Sequence, residues 1–381
     1  MKIETWNNQT IEINLPDIIQ GNLLALPALI DPHVHFRTPG AEHKEDWKTG
    51  SQATIAGGVT TVFDMPNNRP SAIDYEQLKL KKDLIDRQLN EINIPLNYYL
   101  YLGATADNLD EIKNIARLSA QGGSALGGED QKIIGVKMFM DASTGDLLVD
   151  KLEDQEKIFK ICAELNILLA VHAVTSAERA IKLAKKYHTK LYICHVSTKE
   201  EIDLIRQAKK EGFNIYAEVT PHHLFLTEND HKRLGTLGKM NPPLRTIEDQ
   251  KALWNAILDG TIDTIGTDHA PHTLAEKATP EAQSPFGVPG IETCLPLLLN
   301  AYNQGMISLE KIVELTRTNI EKIFDLEKNN DWVIINLDLE KEIKNENLKT
   351  KCGWSPFAGI KLKGFPIVTV LKNKIFIIHN S

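Results

Sequence analysis

Residues 29–35 read LIDPHVH, an apolar run that leads directly into two histidines separated by one residue. The run extends an apolar segment that begins at Leu24, and seven further short apolar runs follow it along the chain. The eight runs span residues 24–31, 59–64, 96–103, 133–139, 167–172, 190–195, 214–219 and 262–268. Amphipathic, helix-like stretches lie between them, among them residues 75–89, 151–165, 177–187 and 199–211. Such alternation is typical of βαβ units, which build a parallel sheet.

The number of runs predicts how that sheet is arranged. Eight strands with intervening helices within about 240 residues match a (β/α)8 barrel, which needs about 250. A doubly wound sheet is the alternative, but no glycine-rich phosphate loop follows any of the runs. The predicted fold class is therefore α/β, with a TIM-like (β/α)8 barrel.

Both ends of the chain have a different pattern. Residues 2–15 alternate like short strands, and residues 332–337 and 365–378 do so again. We therefore expect a small β-domain formed by the N- and C-terminal segments. The predicted domains are residues 1–23 for the N-terminal part of the β-domain, 24–325 for the barrel and 326–381 for the C-terminal part. The glycine-rich residues 121–130 and His379 are expected at the surface.

Composition and charge exclude several classes of protein. The 381 residues are 42% hydrophobic and 25% charged, as in a soluble globular protein. A net charge of −8 argues against nucleic acid or an anionic membrane as a partner, because either requires a basic face. The four cysteines form no CxxC pair, and no segment approaches the ~20 apolar residues of a membrane span. We therefore expect buried free thiols in a cytoplasmic protein.

Metal-ligating side chains stand where the predicted strands end, and active sites of barrels collect at those ends. His33 and His35 follow the first run, and alternation in an extended segment places both on one face. Alone, the pair fits ordinary loop histidines equally well. The fifth, sixth and eighth runs, however, end in His172, His195 and Asp268. This convergence predicts a metal site, and ligands without thiolate favour zinc.

Lys137, near the end of the fourth run, is the unusual member of this set. An ammonium group would be repelled by a divalent cation. A neutral lysine can instead react with carbon dioxide to form a carbamate, whose two oxygens can bridge two metals. The alternative is a lysine that reaches solvent or binds an anion, and the spacing alone leaves both interpretations open.

Several motifs together resemble one enzyme family. DPHVHFRTPG, AGGVTTVFDMPNNRP, GVKMFM, CHVS, MNPPLR and GTDHAPHT begin at residues 31, 56, 135, 194, 240 and 266. Their order is similar to that of the dihydroorotases, amidohydrolase-superfamily enzymes of pyrimidine biosynthesis. The resemblance runs from about residue 26 to 293, resumes at 351–357 and is specific as a set. The family fold is a metal-bearing (β/α)8 barrel with a small terminal β-domain, in agreement with the count of runs.

The resemblance implies a role for each candidate residue. His33 and His35 would hold one zinc ion, His172 and His195 a second, and carbamylated Lys137 would bridge the two. Asp268 would ligate the first metal and act as the general acid and base. Arg37 would clamp the substrate carboxylate with Asn67 and His272, while Asn241 and the backbone of residues 287–290 would contact the pyrimidine ring.

The implied reaction is the reversible cyclisation of N-carbamoyl-L-aspartate, a small-molecule substrate, to dihydroorotate and water. A homodimeric enzyme is a further expectation. An allantoinase or a hydantoinase/dihydropyrimidinase would share the metal ligands but would not need the anion clamp. A non-catalytic homologue would be expected to have lost ligands. Some dihydroorotases use an aspartate where others use the lysine, and Asp141 is the candidate here. Lys137 is favoured because it lies within the GVKMF strand pattern.

Other polar residues near the strand ends are expected to be structural. His222 and His223 are predicted to form structural hydrogen bonds, and His269 to point away from the site and pack. Asp64 is predicted to support the turn after the second strand. Cys194 is predicted to face the side of the barrel opposite to His195, because the two are consecutive in an extended run.

Overall fold

The computed structural model describes residues 1–15, 20–120, 133–143 and 145–378. Residues 121–130 and His379, both expected at the surface, lie outside the described residues. None of the helices in these ranges is long and apolar enough to cross a membrane. All four cysteines are buried free thiols, as predicted.

Fourteen strands lie within the described ranges. They are β1 (Lys2–Thr5), β2 (Thr10–Glu12), β3 (Leu23–Pro27), β4 (Leu29–Val34), β5 (Val59–Asp64), β6 (Asn97–Gly103), β7 (Ile133–Phe139), β8 (Leu169–His172), β9 (Leu191–Ile193), β10 (Ile215–Val219), β11 (Thr264–Ile265), β12 (Trp332–Glu342), β13 (Lys361–Leu371) and β14 (Lys374–Ile377).

Helices connect the central strands. The α-helices of the described ranges are α1 (Trp47–Ala56), α2 (Tyr75–Ile92), α3 (Leu109–Ala120), α4 (Leu152–Glu164), α5 (Ala177–Tyr187), α6 (Lys199–Lys210), α7 (Pro221–Phe225), α8 (Glu228–Leu234), α9 (Ile247–Leu258), α10 (Leu274–Lys277), α11 (Ile291–Asn303), α12 (Leu309–Val313) and α13 (Asn319–Ile323). Short 3-10 turns occupy Gly235–Gly238 and Asn345–Asn347, and a π-helical turn occupies Glu314–Thr318.

Strands β4 to β11 form an eight-stranded parallel sheet in chain order. The sheet curls until its two edges meet, where Val34 bridges His269 in parallel. His35 N donates to His269 O at 2.9 Å, and the buried Asp31 carboxylate accepts from both Thr267 N and Thr267 Oγ1. These contacts confirm the predicted (β/α)8 barrel and bring the ends of the first and last strands together.

The remaining strands form a six-stranded sheet in the order β14-β13-β12-β3-β1-β2. Its members come from both ends of the chain, which confirms a small β-domain built from the N- and C-terminal segments. Most pairings are antiparallel, and β1 with β3 is the parallel exception.

The first predicted run, residues 24–31, is two strands instead of one. Strand β3 pairs with β1 and β12 in the small sheet, whereas β4 begins the barrel by pairing with β5. Apolar side chains are buried in both sheets, so the sequence shows one continuous run. The domain division placed at residue 24 falls inside β3, and the division itself remains a prediction.

The barrel interior is filled below the site by aromatic side chains. Phe63, Tyr101 and Tyr192 are fully buried, and Phe324 packs against Phe63 and Tyr192 with ring centroids 5.0 and 5.2 Å apart. Because this end is filled, the opposite end, where the histidines lie, is the one open to ligands.

Candidate metal centre

His33, His35 and Asp268 meet where the first and last barrel strands end. Asp268 Oδ1 lies 3.3 Å from His33 Nε2 and 3.0 Å from His35 Nε2. All three side chains are buried or nearly so. Burial would raise the pKa of Asp268, but His33 and His35 stabilise the charged carboxylate and hold this pKa well below its ordinary value.

The outer nitrogens of these two histidines are held by other side chains. Glu218 Oε1 lies 2.8 Å from His33 Nδ1, and Asn67 Oδ1 lies 2.8 Å from His35 Nδ1. Burial would lower the pKa of His33, but Glu218 and Asp268 together raise it well above its usual value. Each outer contact points the Nε2 atom of its ring toward Asp268, as the outer hydrogen bonds of metal-ligating histidines do.

His172 and His195 form the second half of the cluster. His172 Nδ1 and His195 Nε2 lie 2.9 Å apart, and the His195 ring centroid is 5.4 Å from that of His33. Burial, followed by the charge of Lys137, lowers the pKa of His172 to about 3. Burial and His172 also lower the pKa of His195. Both rings are therefore neutral at physiological pH, which is the form that binds metal.

These separations fit shared metal ligands. Two ligand atoms ~2.0–2.1 Å from one tetrahedral ion lie roughly 3.3 Å apart. The distances from Asp268 to the first two histidines, and from His172 to His195, are 2.9–3.3 Å. Imidazole and carboxylate donors without a thiolate suit zinc. Among the residues predicted as ligands, His33, His35 and Asp268 thus form a group whose ligand atoms could hold a metal ion.

Lys137 reaches the same region from β7 and is fully buried. Its Nζ donates to Cys194 Sγ at 2.9 Å and lies 5.3 Å from the centroid of the Phe139 ring. Within the described ranges no carboxylate pairs with this amine. A cation here would be buried without a counter-charge, which is unfavourable unless the amine is modified.

The prediction for Cys194 was wrong. Its thiol faces Lys137 inside the barrel, although His195, the next residue, also faces the site. Extended alternation would separate them, but His195 has a left-handed φ of 41°. Arg37 and Asp268 also have positive φ, at 61° and 46°. Such backbone conformations cost about 1–3 kcal/mol each and concentrate at functional sites.

Asp141, the other candidate for the bridge, is occupied elsewhere. Its carboxylate accepts hydrogen bonds from the backbone N–H and the hydroxyl of both Thr175 and Ser176, at 2.7–3.1 Å. These bonds lower the pKa of Asp141 against the effect of partial burial. The residue stabilises the turn that starts α5, and this favours Lys137 as the bridging residue.

Glu218 is a site residue that sequence analysis missed. Besides holding His33, its carboxylate accepts from His195 N at 3.0 Å and from the Tyr192 hydroxyl at 3.0 Å. Gly266 leaves room for it, since a Cβ there would lie 2.4 Å from Glu218 Oε2. The available signal was one carboxylate inside the otherwise apolar run at residues 214–219.

Arg37 lies beside the metal ligands and is 8% exposed. Burial lowers its pKa to about 10, which leaves the guanidinium charged at neutral pH. Its Nε donates to Pro271 O at 3.1 Å, and Nη2 lies 3.2 Å from His272 Nε2. The Pro271 carbonyl therefore holds the guanidinium, and the His272 ring lies beside it.

His272, a predicted companion of Arg37, is fully buried. Burial and then Arg37 lower its pKa, so the ring is neutral. Nδ1 accepts from Lys44 Nζ at 3.2 Å, and Nε2 donates to Phe286 O at 2.9 Å. Because both nitrogens are used in these contacts, the neutral ring has no further donor for a substrate and lies beside the Arg37 guanidinium.

Three of the four predicted substrate residues, Arg37, Asn67 and Asn241, line one cleft, whereas the buried His272 is not among its lining residues. A cavity of about 300 Å³ is lined by His35, Arg37 and Asn67, among others. The same three residues line an adjoining cavity of about 30 Å³, together with Asp268 and Asn241. Asn241 Nδ2 donates to Ala142 O at 2.9 Å. The cleft thus places an anion-binding group next to the metal ligands.

The residues expected to be structural are mostly confirmed. His223 bonds Thr220 Oγ1 at 2.7 Å and Pro242 O at 3.2 Å, but His222 Nε2 is buried and has no hydrogen-bond partner within the described ranges. His269 packs on Phe36, with its Nε2 3.4 Å from a Glu45 oxygen. Asp64 Oδ1 accepts from Phe36 N at 2.8 Å, so this bond supports the turn after the first barrel strand, whereas the prediction concerned the turn after the second.

Comparisons with known proteins place the chain in a family. The sequence profile of the amidohydrolase family matches residues 24–330. The dihydroorotase of Staphylococcus epidermidis is 38% identical over 379 residues, covering 93% of this chain and 88% of its own. That of Staphylococcus aureus is 37% identical over 372 residues, covering 92% and 87%.

Among solved structures, the L-hydantoinase (dihydropyrimidinase) of Arthrobacter aurescens superposes with a TM-score of 0.83 at 24% identity, covering 94% of this chain and 86% of its own. At this identity the likeness concerns the fold. The chain belongs to the amidohydrolase family. Its sequence relatives at 37–38% identity are dihydroorotases, which confirms the resemblance carried by the motifs.

Proposed function

We propose that this protein is a dihydroorotase that interconverts N-carbamoyl-L-aspartate and dihydroorotate with loss or gain of water. The observation that carries the proposal is a buried, charged arginine in the cleft that adjoins the histidine cluster. Arg37 presents a planar guanidinium, which matches a carboxylate with two parallel hydrogen bonds. Dihydroorotate carries such a carboxylate on its ring, whereas hydantoin and allantoin do not.

Two zinc ions are proposed for the cluster. His33, His35 and Asp268 would hold one ion, and His172 and His195 the other, with a carbamate on Lys137 between them. When bound, such a pair supplies Lewis acidity toward the ring amide and makes water a nucleophile near neutral pH. Glu218 and Asn67 support the proposal because they fix the His33 and His35 rings through their Nδ1 atoms.

The protein's own groups supply proton transfer and orientation. In the hydrolytic direction, an Asp268 oxygen takes the proton from the attacking water and returns it to the departing ring nitrogen. Arg37 binds the ring carboxylate, and the Pro271 carbonyl holds Arg37 in place. Asn241 and the backbone near Gly287 line the side of the cleft where the ring would lie. In the biosynthetic direction the ureido nitrogen attacks the carbon of the side-chain carboxylate. Asp268 takes a proton from that nitrogen and gives it to the departing carboxylate oxygen, which leaves as hydroxide and becomes water with one solvent proton.

Three finer predictions accompany this proposal. They are a role in de novo pyrimidine biosynthesis, a cytoplasmic location and assembly as a homodimer. The buried free thiols support a reducing compartment.

The test compares Arg37→Met with Arg69→Met, an exposed arginine on the rim of the same cleft. Loss of a charge-assisted pair costs about 2–4 kcal/mol, or roughly 30- to 1000-fold in kcat/KM for dihydroorotate. Arg37→Met should show that loss with its metals retained, and Arg69→Met should lose far less. Better hydrolysis of hydantoin or allantoin than of dihydroorotate by the wild type would replace this proposal with the broader cyclic-amidase function.

A further inference from the structure

Lys277, the last residue of α10, is a fully buried lysine to which neither the motifs nor the proposed chemistry gives a role. Its Nζ donates to three backbone carbonyls, those of Lys239 at 2.9 Å, Pro285 at 3.0 Å and Gly287 at 3.1 Å. An ammonium group has three hydrogens, so each hydrogen has one acceptor. The side chain therefore joins α10 to two other segments of the chain, one at Lys239 and one at residues 285–287.

Two of these segments carry walls of the cleft. Lys239 lies two residues before Asn241, and Pro285 and Gly287 flank Phe286; Asn241, Phe286 and Gly287 all line the cleft beside Asp268. The two loops are also linked directly, by a backbone bond from Gly287 N to Lys239 O at 3.1 Å and by Lys239 Nζ, which lies 4.6 Å from the Phe286 ring centroid. Lys277 thus fixes the spacing between the residues proposed to contact the substrate ring.

A further contact, with the ring of Trp354, connects Lys277 to the anion site. The Trp354 ring centroid lies 5.7 Å from Lys277 Nζ, and Trp354 Nε1 donates to His272 O at 2.7 Å. Since His272 Nε2 also donates to Phe286 O, a network links Lys277 to the ring that lies beside the proposed carboxylate clamp, Arg37.

We propose that Lys277 is a positioning residue whose ammonium group clamps the Asn241 loop to the Phe286 loop and thereby sets the affinity for the ring of the substrate. The inference rests on the proposed function, because it concerns the part of the cleft assigned to the ring. It differs from a purely structural role in its expected dependence on the charge of the amine.

The amine is poised to change charge near neutral pH. Burial, followed by the charge of Lys239, lowers the pKa of Lys277 to about 7, and Glu281 opposes this effect. The other titratable groups near it are His272, which is neutral, and Glu276, the preceding residue in α10. Below the pKa, three charge-assisted bonds hold the loops. Above it, the neutral amine has two hydrogens and must release one carbonyl.

The experiment measures KM and kcat for dihydroorotate from about pH 6 to about pH 8.5, a range that brackets this pKa. Lys277→Met keeps the length of the side chain and removes its donors. At about pH 6 we expect KM to rise about tenfold, the loss of one charge-assisted hydrogen bond, while kcat stays within about threefold. The ratio of variant to wild-type KM should shrink as the pH rises, because the wild type then loses its own charge.

Lys251→Met, at an exposed lysine of α9, is the matched control and should reproduce the wild-type profile. A ratio of KM values that stays constant with pH, or a loss confined to kcat, would overturn the clamp. If Lys277→Met does not fold, the test is the pH dependence of KM in the wild type. A wild-type KM that does not rise with pH overturns the inference. Failure of the proposed function is a separate result, since it is read from which cyclic amide the wild type hydrolyses; the KM ratio is then measured on that amide.

Discussion

Three lysines of this barrel are fully buried, and their surroundings differ in kind. Lys81 and Lys277 each have three oxygen partners, and because they bond to segments that line the cleft they are called the rim lysines. Those of Lys81 are Met65 O at 2.7 Å, Asn68 Oδ1 at 2.6 Å and Asp64 Oδ2 at 2.6 Å. Lys137, on the barrel axis, has one sulfur contact, to Cys194, and the face of a phenyl ring within the described ranges.

The comparison distinguishes buried lysines with a structural role from the one proposed to have a chemical role. A buried ammonium group is tolerated when oxygens replace its water shell, and the two rim lysines meet that condition. Lys137 does not, although it is the one that lies among the proposed metal ligands. Burial of a lysine is thus a weak sign of function, whereas burial without oxygen partners inside a cluster of ligands is a strong one.

The largest expected effect follows from Lys137→Ala. Without the bridging group, turnover of dihydroorotate should fall by at least about a thousandfold, because both metals lose a shared ligand. Metal content should fall as well, and a short carboxylic acid added to the variant should restore part of the activity by filling the vacated space. Full metal content together with wild-type turnover would show that Lys137 resembles the rim lysines after all.

Lys81→Met should affect stability more than chemistry. Removing the lysine leaves the Asp64 carboxylate buried without its counter-charge, which costs about 3–5 kcal/mol. Urea unfolding should show that loss while the metal content stays at the wild-type level. The double variant Lys81→Met/Asp64→Asn should recover part of the lost free energy of unfolding, because the unpaired charge is then absent. Loss of metal from folded Lys81→Met would contradict the division between rim and axis.

Asp141→Ala should have the smallest effect of the three. The variant loses the hydrogen bonds to Thr175 and Ser176 at the start of α5, which costs about 1 kcal/mol of stability, as loss of a helix cap does. Metal content and kcat should change little. If Asp141→Ala instead loses both metals while Lys137→Ala keeps them, the bridge belongs to Asp141.

Strand positions were predictable where burial follows a simple rule. The runs at residues 59–64 and 133–139 coincide with β5 and β7, because strands covered on both faces are continuously apolar. That rule gives no signal for a change of sheet, so residues 24–31 concealed the boundary between β3 and β4. The last run, residues 262–268, contains only a two-residue strand, and Asp268 lies in a left-handed turn beyond it.

The candidate site was predictable to the extent that it follows strand ends. His33, His35, His172 and His195 could be selected because parallel strands end at one rim. Glu218 could not be selected in this way, because its partner His33 lies 185 positions away in the sequence. Lys277 was missed because all three of its acceptors are backbone carbonyls, which have no signature in the sequence. Lys81 was missed because its side-chain partners, Asp64 and Asn68, lie outside its own helix. Cys194 was misplaced because its neighbour has a positive φ.

The central claim is that Lys137 is chemically modified and joins two metals. The most direct measurement is the electron density at Lys137 Nζ in crystals of zinc-loaded enzyme grown with bicarbonate. We expect a planar carboxylate attached to Nζ, in which each of the two oxygens lies about 2.0–2.2 Å from its own zinc ion. An unmodified amine still in contact with Cys194, with the metals bridged by Asp141 or with one metal alone, would contradict it.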